Sequence, residues 1–245
     1  MSWRLVCGSA VGTSHISTGT PCQDSCQARV ARLDDRRSLL SLFVADGAGS
    51  ALCGGEGATL AVEAAMAFIA QAVRSGEIML DDALATGIVL AVRERIASAA
   101  GAAGLMPRDY ACTFLGALST DSGTLLLQIG DGGLVIDTGA GLTMPLIPMS
   151  GEYANMTWFV TDDEAVSLLQ TWAGEQRALK VAAFSDGLQR LALNLADNTP
   201  HQPFFAPFFR VMGEVTPEQA AQLPPLLEQF LASEPVNART DDDKT

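Results

Sequence analysis

The sequence predicts an α+β fold. Three observations predict it. Strand-like alternation dominates the first 45 residues, two stretches of helical period follow back to back at 54–74 and 81–100, and strand signals then return before helices close the chain. The helices come in consecutive pairs rather than one between each pair of strands. Alternating βαβ units are therefore not supported.

Residues 3–11 read as a strand, with Trp3, Leu5 and Cys7 on one side. A polar loop, 12–24, leads to alternation at 26–33, a charged turn at 34–37, and an apolar strand at 38–45. Two strands joined by a short turn predict a hairpin. From residue 54 the period changes. Leu60, Ala64, Phe68 and Ala72 share one helical face, and Val62, Met66, Ile69 and Val73 its neighbour. Ser75-Gly76 closes that helix, and Asp81 or Asp82 opens the next, where an acid suits the helix dipole. Strands are expected at 110–118 and 124–129 around the turn Asp121-Ser122-Gly123, then at 134–137 and 142–147, as an antiparallel meander. A short strand is expected at 158–161, an apolar one at 178–184, and a short helix at 188–194. Residues 162–174 fit neither pattern. An aromatic helix follows at 202–212. Thr216-Pro217-Glu218 opens a last helix to about residue 232, which Pro224-Pro225 would break or kink. No repeat or low-complexity linker divides the chain, so one domain, 1–245, is expected.

The formal net charge of −13 argues against a nucleic-acid or anionic-membrane partner, since both need a basic footprint. The five cysteines form no Cys-x-x-Cys, and two histidines are too few for the usual zinc sites. Residues 58–73 are rich in alanine, interrupted by Glu63 and Gln71, and do not read as membrane-spanning. With no apolar signal core at the start, the cytoplasm is the expected location. Asn155-Met156-Thr157 matches a glycosylation sequon but carries no weight without a secretion signal.

Asp46-Gly47, Gly130-Asp131-Gly132 and Asp186-Gly187 share one design: an apolar strand ends, an acid follows, and a glycine turns the chain. An acid at the end of a buried strand is costly unless something pairs with it. Any one Asp-Gly is a common surface turn. Three after apolar strands favour a shared site, and hard divalent cations such as Mg²⁺ and Mn²⁺ take such oxygen ligands. No P-loop exists, and Leu52 occupies the third glycine's place in a Gly-x-Gly-x-x-Gly pattern. Ser185 sits where a nucleophile elbow would put it, but only His201 follows, too close for the triad order.

The order of motifs resembles the protein phosphatase 2C family, the Mg²⁺/Mn²⁺-dependent serine/threonine phosphatases. The matching pieces are Gly19-Thr20-Pro21-Cys22-Gln23-Asp24-Ser25, Val44-Ala45-Asp46-Gly47-Ala48-Gly49, Ile129-Gly130-Asp131-Gly132, Phe184-Ser185-Asp186-Gly187-Leu188, and Asp242-Asp243-Lys244-Thr245, the last resembling a closing Asp-Asn-x-Thr. Pro21-Cys22-Gln23-Asp24 suggests a compact bacterial branch.

The resemblance implies a β-sandwich of two antiparallel sheets flanked by helix pairs. It implies two metal ions, with Asp46 bridging them, the Gly47 carbonyl on one, Asp186 and Asp242 completing the first, and Asp24 holding bound waters. Asp131 would lie close by, near a third ion. A metal-bridging water would attack phosphorus directly. The implied substrate is a phosphoserine or phosphothreonine protein, with a cognate kinase as partner; a catalytically weak module that binds a phosphoprotein is the alternative. Several positions depart from the family pattern. Gln23 stands where glutamate is usual, which weakens one metal position. Gly19 stands where many members carry a phosphate-gripping arginine. His15, four residues earlier, is the candidate donor in its stead, or an ordinary loop histidine. Ala48 replaces a histidine used near the leaving group, which leaves protonation to water or His15, and Arg190 replaces an acid of the third metal site. The resemblance also implies a strand following Thr245.

Overall fold

The computed structural model describes residues 3–35, 37–76, 78–149 and 157–245. In chain order the elements are α1 (Thr13–Thr18), β1 (Asp24–Arg32), β2 (Ser38–Asp46), α2 (Gly54–Ser75), α3 (Asp82–Ala103), β3 (Phe114–Thr120), β4 (Gly123–Ile129), β5 (Gly133–Asp137) and β6 (Leu142–Thr143). They continue with α4 (Ala165–Leu168), β7 (Gln170–Gly174), β8 (Lys180–Phe184), α5 (Gln189–Ala192), β9 (Leu193–Asn194), β10 (Thr199–Pro200), α6 (Gln202–Glu214), α7 (Pro217–Ala220), α8 (Pro224–Leu231) and α9 (Glu234–Asn237).

The strands form a sandwich. One sheet runs β1-β2-β3-β4-β7 and the other β6-β5-β8, all pairs antiparallel. The central strands are apolar at almost every position because both of their faces are covered. On β2, Leu39, Phe43 and Ala45 turn outward to α2 and α3, while Val44 turns inward to the second sheet. On β3, Phe114 and Leu118 pack with the helices and Leu115 and Ala117 between the sheets. Phe43 stacks on Phe114 with ring centroids 5.6 Å apart. The far face of the second sheet is covered by α5, α6 and α8 through Ala192, Phe205 and Leu231, in one cluster with Phe184. The order is thus helices, sheet, sheet, helices.

Local chemistry explains two of the helix starts. Asp81 caps α3 by accepting from the Leu84 N–H at 2.9 Å. Thr216 and Gln219 close a capping box on α7, as its Thr-Pro-Glu start predicts. α2 is long and apolar enough to cross a membrane, but its apolar side is spent on α3, β2 and β3.

Several expectations fail. Residues 3–9 form no strand; only Ala10 pairs, in an isolated bridge to Lys244. The polar loop contains α1, closed by Gly19 at φ 72°. Residues 158–161 form no strand: Trp158 and Val160 pack against the helical core, and the Val160 N–H makes a single backbone bond, to the Cys112 carbonyl at 2.9 Å, rather than a ladder. The strand expected at 142–147 shortens to Leu142–Thr143. The meander breaks after β4. Gly130, at φ 108°, turns the chain out of one sheet and into the other, so β4 pairs with β7 and β5 with β8. Pro224-Pro225 ends the last long helix outright and splits it into α7 and α8. The sequon at Asn155 lies outside the described residues.

Candidate metal centre

The β1–β2 hairpin sets the first two acids. Its register places Asp24, the first residue of β1, directly opposite Asp46, the last of β2. β3 anchors that end: the Thr113 N–H donates to the Asp46 carbonyl at 2.8 Å, and the Asp46 N–H donates to Thr113 Oγ1 at 3.0 Å. The second sheet delivers Asp186 at the end of β8, and the crossing from β4 to β5 delivers Asp131. The C-terminal tail brings Asp242.

Close approach, not unusual backbone torsion, explains two of the glycines after these acids. A Cβ at Gly47 would lie 2.3 Å from the Gly54 carbonyl carbon, where α2 begins. At Gly187 it would lie 1.9 Å from the Asp243 carbonyl oxygen. Neither has a positive φ. Each glycine lets another backbone pass, and at Gly187 that backbone is the tail that carries Asp242. Replacing Gly187 with alanine should therefore displace the tail, lower stability by about 1–3 kcal/mol and weaken Mn²⁺ binding. Urea denaturation and calorimetry test this, and an unchanged midpoint with unchanged affinity would refute it.

The Asp46 carboxyl lies close against those of both Asp24 and Asp186. Burial pushes the Asp46 carboxyl far above the usual range, and the charges of Asp24 and Asp186 add to the shift. Burial likewise raises Asp24 to about 7, partly offset by the Ser185 hydroxyl, which donates to its Oδ2 at 2.7 Å. Asp186 rises to about 6 through burial and then the charges of Asp131 and Asp242. Asp131 rises through burial, opposed by a bond from the Thr157 hydroxyl. Asp242 is exposed and faces the cluster from the solvent side.

Among the described residues, no three His, Cys, Asp or Glu side chains already surround one point as metal ligands. The acids contact one another pairwise instead. The donor set still fits a hard cation, because Asp24 Oδ1 and Asp186 Oδ1 are buried without a hydrogen-bond partner. Buried carboxylate oxygens left so are rare unless something cationic completes them.

The model of the family described as protein phosphatase 2C matches residues 11–231. The chain belongs to the protein phosphatase 2C family. Within it, this phosphatase 2C chain is 60% identical to serine/threonine-protein phosphatase 3 of Escherichia coli strain K12, over all of this chain and 97% of that protein. Its fold is similar to that of a bacterial serine phosphatase, at a TM-score of 0.55 and 12% identity over 91% of this chain and 89% of the other. It is also similar to a serine/threonine phosphatase from Staphylococcus aureus, at a TM-score of 0.51 and 11% identity over 100% and 96%.

The remaining phosphatase 2C motif positions fall as follows. Gln23 directly precedes Asp24, and its own Oε1 is buried without a partner. Gly47 is buried beside Asp46, and its N–H donates to the Gln23 carbonyl at 3.1 Å. His15, on α1, does not stand alone in a loop: its Nδ1 lies 2.9 Å from Asp243 Oδ2. Ser185 is no nucleophile, since it is 1% exposed and committed to Asp24, while His201 bonds to Asn194 at 3.1 Å. Asp243 is the site residue that the motif reading missed. The signal was present, because this acid takes the place of asparagine in the closing motif.

Proposed function

We propose that this chain, acting as one domain of residues 1–245, is a metal-dependent serine/threonine phosphatase that removes phosphate from phosphoserine or phosphothreonine in proteins. One observation carries the reading: the half-buried carboxyls of Asp24, Asp46 and Asp186 press on one another, with buried oxygens that nothing in the protein completes. A module that only binds phosphoproteins gains nothing from such an arrangement, because mutual repulsion of acids is costly unless it serves a charge.

Asp46, Asp186 and Asp242 would hold a divalent ion, Mg²⁺ or Mn²⁺, with the Gly47 carbonyl beside them. Asp24 would reach an ion through water; two ions are expected, and Asp131 would help with a third. Ions held there supply Lewis acidity, which acidifies water and neutralises phosphoryl oxygens. The chain's own part is positional. The hairpin register fixes Asp24 against Asp46, Ser185 holds the second oxygen of Asp24, and Thr113 clamps the backbone of Asp46. His15 at the rim is the candidate donor to the substrate. The substrate implies a cognate serine/threonine kinase, and such chemistry suits the cytoplasm.

Hydrolysis of a phosphothreonine peptide should require Mn²⁺ or Mg²⁺, stop in EDTA and return when the ion is restored. Full turnover in EDTA would overturn the reading.

A further inference from the structure

Asp243 is built differently from the other acids. It is 3% exposed, and protein donors saturate it. Its Oδ1 accepts from the Gly12 N–H at 2.6 Å, and its Oδ2 from the Gln23 N–H at 2.6 Å. Oδ2 also meets His15 Nδ1 at 2.9 Å. Both of its oxygens have protein partners, whereas Asp24 and Asp186 each keep a buried oxygen that has none. One carboxylate thus ties both ends of the segment 12–23, and the imidazole between them, to the tail.

The consequence falls on His15. A carboxylate that accepts at Nδ1 keeps the proton there and leaves Nε2 as the ring nitrogen free to act. Among the described residues nothing else bonds this imidazole, and its side chain is 20% exposed. The acid cluster is adjacent: Gln23, which holds Asp243, directly precedes Asp24, and the charge of Asp243 acts on Asp24. Ala48, after the Asp46-Gly47 turn, offers no proton. Yet a serine or threonine alkoxide is a far stronger base than water at neutral pH and leaves poorly unprotonated.

We propose that His15 and Asp243 form a proton-donating pair, in which His15, carrying protons on both ring nitrogens, delivers the one on Nε2 to the departing serine or threonine oxygen and becomes the neutral Nδ1–H ring, and Asp243 is the positioning residue that holds the ring through Nδ1. This rests on the phosphatase reading above. The water oxygen adds to phosphorus as the P–O bond to the side chain breaks. The bonding electrons stay on the departing oxygen, which takes the Nε2 proton. The proton lost by the water passes to solvent, and the neutral imidazole, still held through Nδ1, takes one back from solvent.

The test compares leaving groups with Mn²⁺ present. A phosphothreonine peptide needs a proton on its leaving oxygen; para-nitrophenyl phosphate, with a stable phenolate, needs little help. His15→Ala should lower kcat on the peptide about 10²-fold, and its loss on the aryl phosphate should be at least tenfold smaller. Asp243→Asn should show the same selectivity in smaller degree, and the double variant should be no worse than His15→Ala alone. Mn²⁺ affinity by calorimetry should hold in His15→Ala. Nitrogen-15 spectra of the imidazole at pH 8 should show the Nδ1–H form in the wild type, which keeps the test open should Asp243→Asn not fold. Equal losses on both substrates, no loss on the peptide, or an Nε2–H ring in the wild type would overturn the pair while the phosphatase reading stands. A wild type inactive on both substrates would sink the phosphatase reading and the pair together.

Discussion

Asp46→Asn should lower Mn²⁺-dependent turnover by at least about 10³-fold, or ~4 kcal/mol of transition-state stabilisation. The side chain keeps its shape and loses its charge. Asp46 is the acid in contact with both others: it faces Asp24 across the hairpin and meets Asp186 from the second sheet. Its backbone is pinned at both N–H and carbonyl by Thr113, which fixes where its carboxyl stands. The same substitution should do the opposite to the metal-free protein. Removing the most heavily penalised carboxyl relieves repulsion, so without metal the variant should melt no lower than the wild type. Turnover assays and thermal melts in EDTA read both halves. Wild-type turnover in the variant, or a clear loss of metal-free stability, would remove Asp46 from the centre of the site.

Metal removal and pH should act together on stability. The carboxyls of Asp24, Asp46 and Asp186 all titrate higher in the folded chain than in an unfolded one, where Asp lies near about 3.9. A group whose folded pKa is raised binds its proton more tightly in the native state. The stability it contributes is complete below the unfolded value and is lost as pH rises toward the folded one. In EDTA the melting temperature should therefore fall from pH 5 to pH 8, through the values of about 6 and 7 at Asp186 and Asp24. Mn²⁺ reverses the sign, because it binds the ionised form and competes with protons. At 100-fold excess over its dissociation constant it should add about 2.7 kcal/mol, or roughly 5–10 °C for a chain of this size, more at pH 8 than at pH 5. A flat melting profile in EDTA would show that the acids do not share one site.

What the sequence made legible follows from what is local. α2 and α3 announce themselves by period, since a helix burying one side must repeat its apolar residues. The hairpin of β1 and β2 is readable for the same kind of reason. Asp46, Asp131 and Asp186 stand out because an acid closing an apolar strand is unusual wherever it occurs. The exchange of partners after β4 is not local: Thr124 meets Gly174 across a stretch that gives no strand signal, and only packing between sheets decides it. Alternation misleads at residues 3–9, where side chains alternate but no neighbour supplies hydrogen bonds. Asp243 escaped because the family pattern directs attention to the acid before it. Its importance shows only when Gly12, His15 and Gln23 are seen converging on it.

The tail also bears on when this protein becomes an enzyme. The bond between the Gly12 N–H and Asp243 spans 231 positions of the chain. Ala10 and Lys244 bond reciprocally at 2.8 and 3.0 Å, and the Thr245 N–H reaches Ser185 Oγ at 3.2 Å, the hydroxyl that steadies Asp24. Contacts of such separation form late, after most of the chain-closure entropy has been met by other pairings. The hairpin and the strand pairings of both sheets involve none of residues 241–245. Asp242 does not reach the acids, and His15 is not steadied, until that tail is seated. On the function proposed above, the acids and His15 are therefore set only after the rest of the fold is in place.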